Sequence, residues 1–223
     1  MSHPATPRAG AVVFDCDGVL VDSEVLAGPI LAELLTDLGL PTTQADVERD
    51  FKGRSWESGL VTIEARLGTP PWPDLRERYR ERLFAAFDER LRAIPGIEAA
   101  LDALDAAGVP RCVASSGDHE RIRRGLRAGG LLDRFPDATI FSVEDVAHGK
   151  PAPDLFLHAA AEMGFDPAGT VVVEDSPAGV EAGVAAGMRV LGYAPDGSDA
   201  DALRAAGAEP FREMAGLPAL LGV

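Results

Sequence analysis

Ala11-Val12-Val13-Phe14-Asp15-Cys16-Asp17-Gly18-Val19-Leu20 begins with four apolar residues and then presents two carboxylates, two positions apart. An apolar run bounded by Gly10 and Gly18 reads as a short interior strand of the kind a parallel sheet contains. If strand geometry continued, positions 15 and 17 would share one face. Like charges at a buried strand end are costly unless a cation or ligand compensates them, and a divalent, oxygen-preferring ion is the natural partner. A calcium loop would need a third oxygen ligand at its fifth position and Glu at its twelfth. Val19 and Leu26 stand there instead, so the stretch is either a solvated turn or a catalytic strand end.

The 223 residues suffice for one substantial core, or for a core with a small inserted domain. With 46% hydrophobic and 26% charged residues, the composition is that of a soluble globular protein. No run approaches the roughly 18 apolar residues of a membrane span. The first eight residues lack the apolar region of a signal peptide and read as a tail. Cys16 and Cys112 are the two cysteines; they form no C-x-x-C and suggest neither a disulfide framework nor zinc, so a reducing cytoplasm is expected. A net charge of −15 argues against nucleic acid or an anionic membrane as partner. An anionic substrate would therefore need locally placed cations. Only Lys52 and Lys150 are lysines in an arginine-biased composition, which makes each a candidate for a place where a guanidinium would not fit.

Downstream of the first strand, Glu24 to Leu38 carries apolar residues at helical spacing and closes on Gly39. Asp46 to Phe51 reads as a short helix and residues 52–55 as a loop in which Ser55 could cap a helix to about Leu67. Gly68 to Pro73 is a break, and Asp74 to Leu91 is a long amphipathic helix. The pattern then alternates. Strands are expected at 111–114, 138–141, 170–173 and 189–191, and helices at 97–107, 120–127, 153–163 and 178–186. That alternation predicts a doubly wound, Rossmann-like α/β fold with a parallel sheet and right-handed crossovers. The expected organisation is an α/β core formed by residues 1–24 and 94–223, with residues 25–93 inserted as an all-helical cap.

Ligands bind at the carboxyl ends of strands in such sheets. Strand one ends in Asp15 and Asp17, the strand from Arg111 in Ser115-Ser116-Gly117, and the strand from Thr170 in Glu174-Asp175. Lys150 sits in Gly149-Lys150-Pro151 ahead of a helix. Carboxylates from two strands suit magnesium, and a hydroxyl with a lysine suits a phosphate. The constellation asks for a phosphorylated substrate.

Taken together, these segments resemble the four motifs of the haloacid dehalogenase superfamily: Phe14 to Glu24 the first, Ser115 the second, Lys150 the third and Glu174-Asp175 the fourth. The resemblance covers nearly the whole chain, and the helical insert is similar to the family's cap. It implies that Asp15 is the nucleophile that forms an aspartyl-phosphate and that Asp17 is the general acid and then base. Mg2+ would be held by Asp15, the Asp17 carbonyl and Asp175, with Glu174 supporting that shell. Ser115 and Lys150 would bind the phosphoryl oxygens, with Ser116 and Gly117 beside them. Lys52, Gly53 and Arg54 resemble the cap's specificity loop and could reach an anionic leaving group. Dehalogenases of the superfamily lack the second aspartate, so Asp17 favours phosphoryl chemistry.

Within the superfamily the chain looks most like the sugar-phosphate phosphatases and β-phosphoglucomutases. The mutases carry a histidine where Ala27 stands and an arginine where Trp56 stands. The stretch Asp22 to Leu26 is instead similar to phosphatases of the 6-phosphogluconate type. The expectation is a Mg2+-dependent phosphatase for a small phosphorylated metabolite, a sugar phosphate or sugar-acid phosphate, as a monomer or weak homodimer. A phosphosugar mutase and a non-catalytic metabolite-binding protein are the alternatives.

Overall fold

A computed structural model of the protein describes residues 8–51 and 56–223. Strand β1 (Ala11–Phe14) lies fully buried. Four helices follow before the chain returns to the sheet: α1 (Glu24–Asp37), α2 (Gln44–Phe51), α3 (Trp56–Leu67) and α4 (Leu75–Arg90). Gly39, at φ +86°, ends α1 in the left-handed conformation, and the next N–H, of Leu40, returns to the Leu35 carbonyl at 2.9 Å. This is the terminating role its position in the sequence suggested.

From α5 (Ile97–Ala107) onward, strand and helix alternate: β2 (Arg111–Ser115), α6 (His119–Ala128), β3 (Ile140–Ser142), α7 (Asp154–Met163), β4 (Thr170–Glu174), α8 (Pro177–Ala185) and β5 (Arg189–Tyr193). A further set, α9 (Ala200–Ala206), β6 (Glu209–Phe211) and α10 (Leu217–Leu220), completes the chain. The six strands form one parallel sheet in the order β3-β2-β1-β4-β5-β6. β1 is central, and the chain moves first to one side of it and then to the other. The topological switch therefore falls between β1 and β4, where a crevice opens at the carboxyl ends.

Period-2 alternation sorts the core into two faces. Val12 and Phe14 of β1 join Val113, Val171 and Val173 under α5, α6 and the inserted helices. Val13 faces the other way, with Cys112, Ala114 and Val172, against α7 and α8. Helices on both faces make the sheet doubly wound, as expected. No helix among the described residues is long and apolar enough to cross a membrane.

Two expectations need correcting. The strand placed at 138–141 begins only at Ile140, because Asp137–Thr139 forms a 3-10 turn closed by the Thr139 N–H on the Pro136 carbonyl. Strand geometry also stops at Phe14, so Asp17 does not share a pleat with Asp15. The Cys16 carbonyl instead accepts from the N–H groups of Leu20 and Val21, which wraps the chain into a tight turn after the strand.

Candidate active site

Register brings the carboxylates together. Phe14 pairs with Val173 across β1 and β4, and the Asp15 N–H extends that ladder to the Val173 carbonyl at 2.9 Å. Asp15 and Glu174 thus leave neighbouring strands at the same level. Both are nearly inaccessible, at 6% and 1% exposure. Lys150, at 8% exposure, is placed between them. Its ammonium donates to Asp15 Oδ1 at 2.6 Å, to Glu174 Oε1 at 2.8 Å and to the Ala114 carbonyl at 3.2 Å. Three protons meet three acceptors, so the buried cation is fully satisfied.

The charges act on one another strongly. Burial pushes the Asp15 carboxyl well above its ordinary range, Lys150 pulls it back, and Glu174 and Asp175 push it up again. Burial works against charge on Lys150, but Asp15 and Glu174 outweigh it and raise the ammonium. Glu174 has a second task. Its Oε2 accepts from the N–H groups of Asp175 and Ser176, both at 2.7 Å, and from the Ser176 hydroxyl at 2.9 Å. That carboxylate fixes the turn that presents Asp175. The Asp175 side chain in turn lies against Gly18, at φ +77°, so closely that any Cβ there would collide with it.

Ser115, buried at the end of β2, accepts from the Gly117 N–H at 3.2 Å, and the Ser142 hydroxyl donates to the Gly117 carbonyl at 2.8 Å. Asp15, Asp17, Ser115, Ser116, Gly117, Lys150, Glu174 and Asp175 all border one cavity of about 210 Å³. Side chains of the inserted helices form its opposite wall, Ala27 and Trp56 among them. Lys52, Gly53 and Arg54 lie outside the described residues, as does Ser55.

Asp17 is held by neighbours the sequence reading missed. Its Oδ1 accepts from the Ser23 hydroxyl at 2.5 Å, and its Oδ2 from Arg121 Nε at 3.0 Å. Nothing in the composition of its helix sets Arg121 apart, because α6 carries arginines at 121, 123, 124 and 127. Its one distinguishing signal is its place in the first turn of the helix after Ser115, next to the strand end.

Among the described residues no three His, Cys, Asp or Glu side chains form a ready metal cluster. The donor set nevertheless fits magnesium, which keeps several waters and takes few protein carboxylates. Asp15 and Asp175 border the same cavity, and their mutual repulsion is one cause of the raised Asp15 carboxyl. A cation between them would relieve it.

The chain belongs to the haloacid dehalogenase-like hydrolases: residues 9–187 match that family's model. It is a hydrolase of that family, and its curated relatives include phosphatases. It is 34% identical over 190 residues to the 6-phosphogluconate phosphatase of Escherichia coli K12, spanning 85% of this chain and 84% of the relative. Among solved structures, a haloacid dehalogenase-like protein of unknown function from Agrobacterium tumefaciens C58 is similar at 36% identity and a TM-score of 0.82, covering 96% and 97% of the two chains. A family hydrolase from Deinococcus radiodurans R1, solved with bound phosphate and sodium, is similar at 33% identity and a TM-score of 0.76, covering 96% and 94%.

Proposed function

We propose that the chain is a Mg2+-dependent phosphatase that hydrolyses a small phosphorylated metabolite, a sugar phosphate or sugar-acid phosphate. The observation that carries this reading is the buried Asp15–Lys150–Glu174 triad opening onto the cavity that Asp17, Ser115 and Asp175 also border. In the reading, residues 25–93 are a helical cap over a core made of 1–24 and 94–223. Asp15 attacks phosphorus, the bond from phosphorus to the substrate oxygen breaks, and Asp17 delivers a proton to the departing alkoxide. Water then attacks the aspartyl-phosphate, Asp17 takes its proton, and inorganic phosphate leaves with Asp15 restored. Ser115 and Lys150 hold the phosphoryl oxygens during transfer, where positioning and charge compensation supply most of the acceleration. Asp15, Asp175 and the Asp17 carbonyl would hold Mg2+, whose charge neutralises phosphoryl oxygens when bound.

Ala27 and Trp56 border the cavity in the places where the mutases carry histidine and arginine, and this favours release of phosphate over its return to a sugar. The 6-phosphogluconate phosphatase relative supports the sugar-acid end of the substrate range. Two free, buried thiols suit a reducing cytoplasm, and the site as read needs only one protomer.

Phosphate release from glucose 6-phosphate, sorbitol 6-phosphate, 6-phosphogluconate and p-nitrophenyl phosphate tests the reading. Turnover is expected with Mg2+ and not with a chelator. Asp15→Asn should retain the fold and fall below about a thousandth of wild-type activity. Metal-independent turnover would overturn the reading. So would hexose-phosphate interconversion that depends on a bisphosphate primer and releases little phosphate.

A further inference from the structure

The Arg121 guanidinium is partly buried at the joint between the sheet domain and the inserted helices, and it touches both. Its Nε donates to Asp17 Oδ2 at 3.0 Å. Tyr79 on α4 lies close enough to interact with it electrostatically, and the guanidinium carbon lies 5.9 Å from the Phe87 ring centre on the same helix. Glu24, at the start of α1, adds a second negative charge nearby. On its own element, the Asp118 carboxylate caps α6 by accepting the Arg121 N–H at 2.8 Å, and the arginine side chain packs over Gly117. Tyr79 in turn stacks on Trp56 of α3, with ring centres 5.3 Å apart and planes 21° apart. Neighbouring groups therefore lead from Asp17 through Arg121 to α4, and from Tyr79 of that helix to the cavity wall on α3.

We infer that Arg121 is a positioning residue for Asp17, holding that carboxylate in its working orientation and tying it to the inserted helix α4. This rests on the general-acid role proposed above for Asp17. Both Asp17 oxygens have a fixed donor, Ser23 on one and Arg121 on the other. Ser23 is only six residues away, at the start of α1, so its hold on Asp17 is local in sequence. Arg121 adds a second fixed point from α6, 104 residues away, and its guanidinium also lies against the Phe87 ring of α4. An arginine suits this task better than a lysine: its planar guanidinium can bond a carboxylate while lying against an aromatic ring, whereas an ammonium is a point charge. Displacement of a catalytic group by about 1 Å can cost on the order of 100-fold in rate.

A leaving group that departs without a proton makes no demand on Asp17 in the first step, whereas a sugar alkoxide does. The test compares kcat/KM for p-nitrophenyl phosphate with that for the best of the three sugar phosphates, using the magnesium-loaded enzyme. Arg121→Met should lower the sugar-phosphate value by at least about tenfold and leave the nitrophenyl value within about threefold. Arg121→Lys should recover part of the loss, and Tyr79→Phe should show a smaller loss of the same selective kind. In an Asp17→Asn background the Arg121→Met effect should vanish, because residues acting through one group are not additive. Equal losses on both esters, or an undiminished Arg121→Met effect in the Asp17→Asn background, would overturn the inference. If Asp17→Asn itself depresses both esters alike, the general-acid reading of Asp17 falls and this inference falls with it. If Asp17→Asn discriminates and Arg121→Met does not, only the positioning role is lost.

Discussion

Lys150 occupies a position no other residue type could hold unchanged. Its ammonium separates two carboxylates, those of Asp15 and Glu174, in a place that is largely closed to solvent. Removing one partner of such a group leaves uncompensated charge, at a cost of about 3–5 kcal/mol. Lys150→Met is therefore expected to destabilise the fold by that amount at neutral pH. Because burial already raises the Asp15 carboxyl, and Lys150 is the group that lowers it, the variant's Asp15 should rise further. A raised carboxyl favours the folded state when protonated, so the deficit should shrink as pH falls. Denaturant unfolding at pH 7.5 and pH 5.5 measures this; an equal deficit at both would show that packing rather than charge sets the cost.

Helix α8 shows how an element serves a residue it does not contain. Its Gly179 sits so close to Glu174 that a Cβ would overlap Oε1, the oxygen that Lys150 uses. Helix propensity alone would favour Gly179→Ala, since alanine is preferred over glycine by about 1 kcal/mol within a helix. Yet it must push Glu174 off Lys150, so kcat/KM should fall by at least about tenfold, with unchanged far-ultraviolet circular dichroism. Full activity in that variant would mean that the Glu174–Lys150 contact is dispensable. The strand ends around this helix were legible because β1, β2 and β4 are apolar runs that turn polar abruptly, at Asp15, Ser115 and Glu174. The segment after Leu191 was not. Its β6 has three residues with Pro210 at the middle, tolerated because the strand pairs only with β5 at the sheet edge. Its α9 is a seven-residue, alanine-rich helix with a single buried leucine. Arg121 stayed hidden for another reason: its partners come from β1's turn and from α4, and no local pattern reports contacts so distant in sequence.

Across the whole molecule, acidic side chains outnumber basic ones by fifteen, and many of the arginines are committed to individual carboxylates. Asp88 pairs with Arg124, Asp105 with Arg111 and Arg134, and Glu209 with Arg189, and each carboxyl is held below its ordinary range chiefly by those hydrogen bonds. Asp145, beneath the α6 N-terminus, is lowered as well: the Ser142 N–H and His119 outweigh its burial. A depressed carboxyl contributes stability that is present above its unfolded value and lost as pH falls through the folded one. Asp15 and Asp22, raised by burial, act in the opposite direction, and acidification also relieves the repulsion among excess negative charges. The paired carboxyls are the larger group, although exposed pairs contribute only about 0–1 kcal/mol each. The melting temperature should accordingly stay level from pH 8 to pH 6 and decline below about pH 4, where unpaired carboxylates of the unfolded chain take up protons. Differential scanning calorimetry across that range checks it. A melting temperature that climbs steadily as pH falls to 3 would show that repulsion among the surplus acids, and not their pairing with arginine, governs this protein's response to acid.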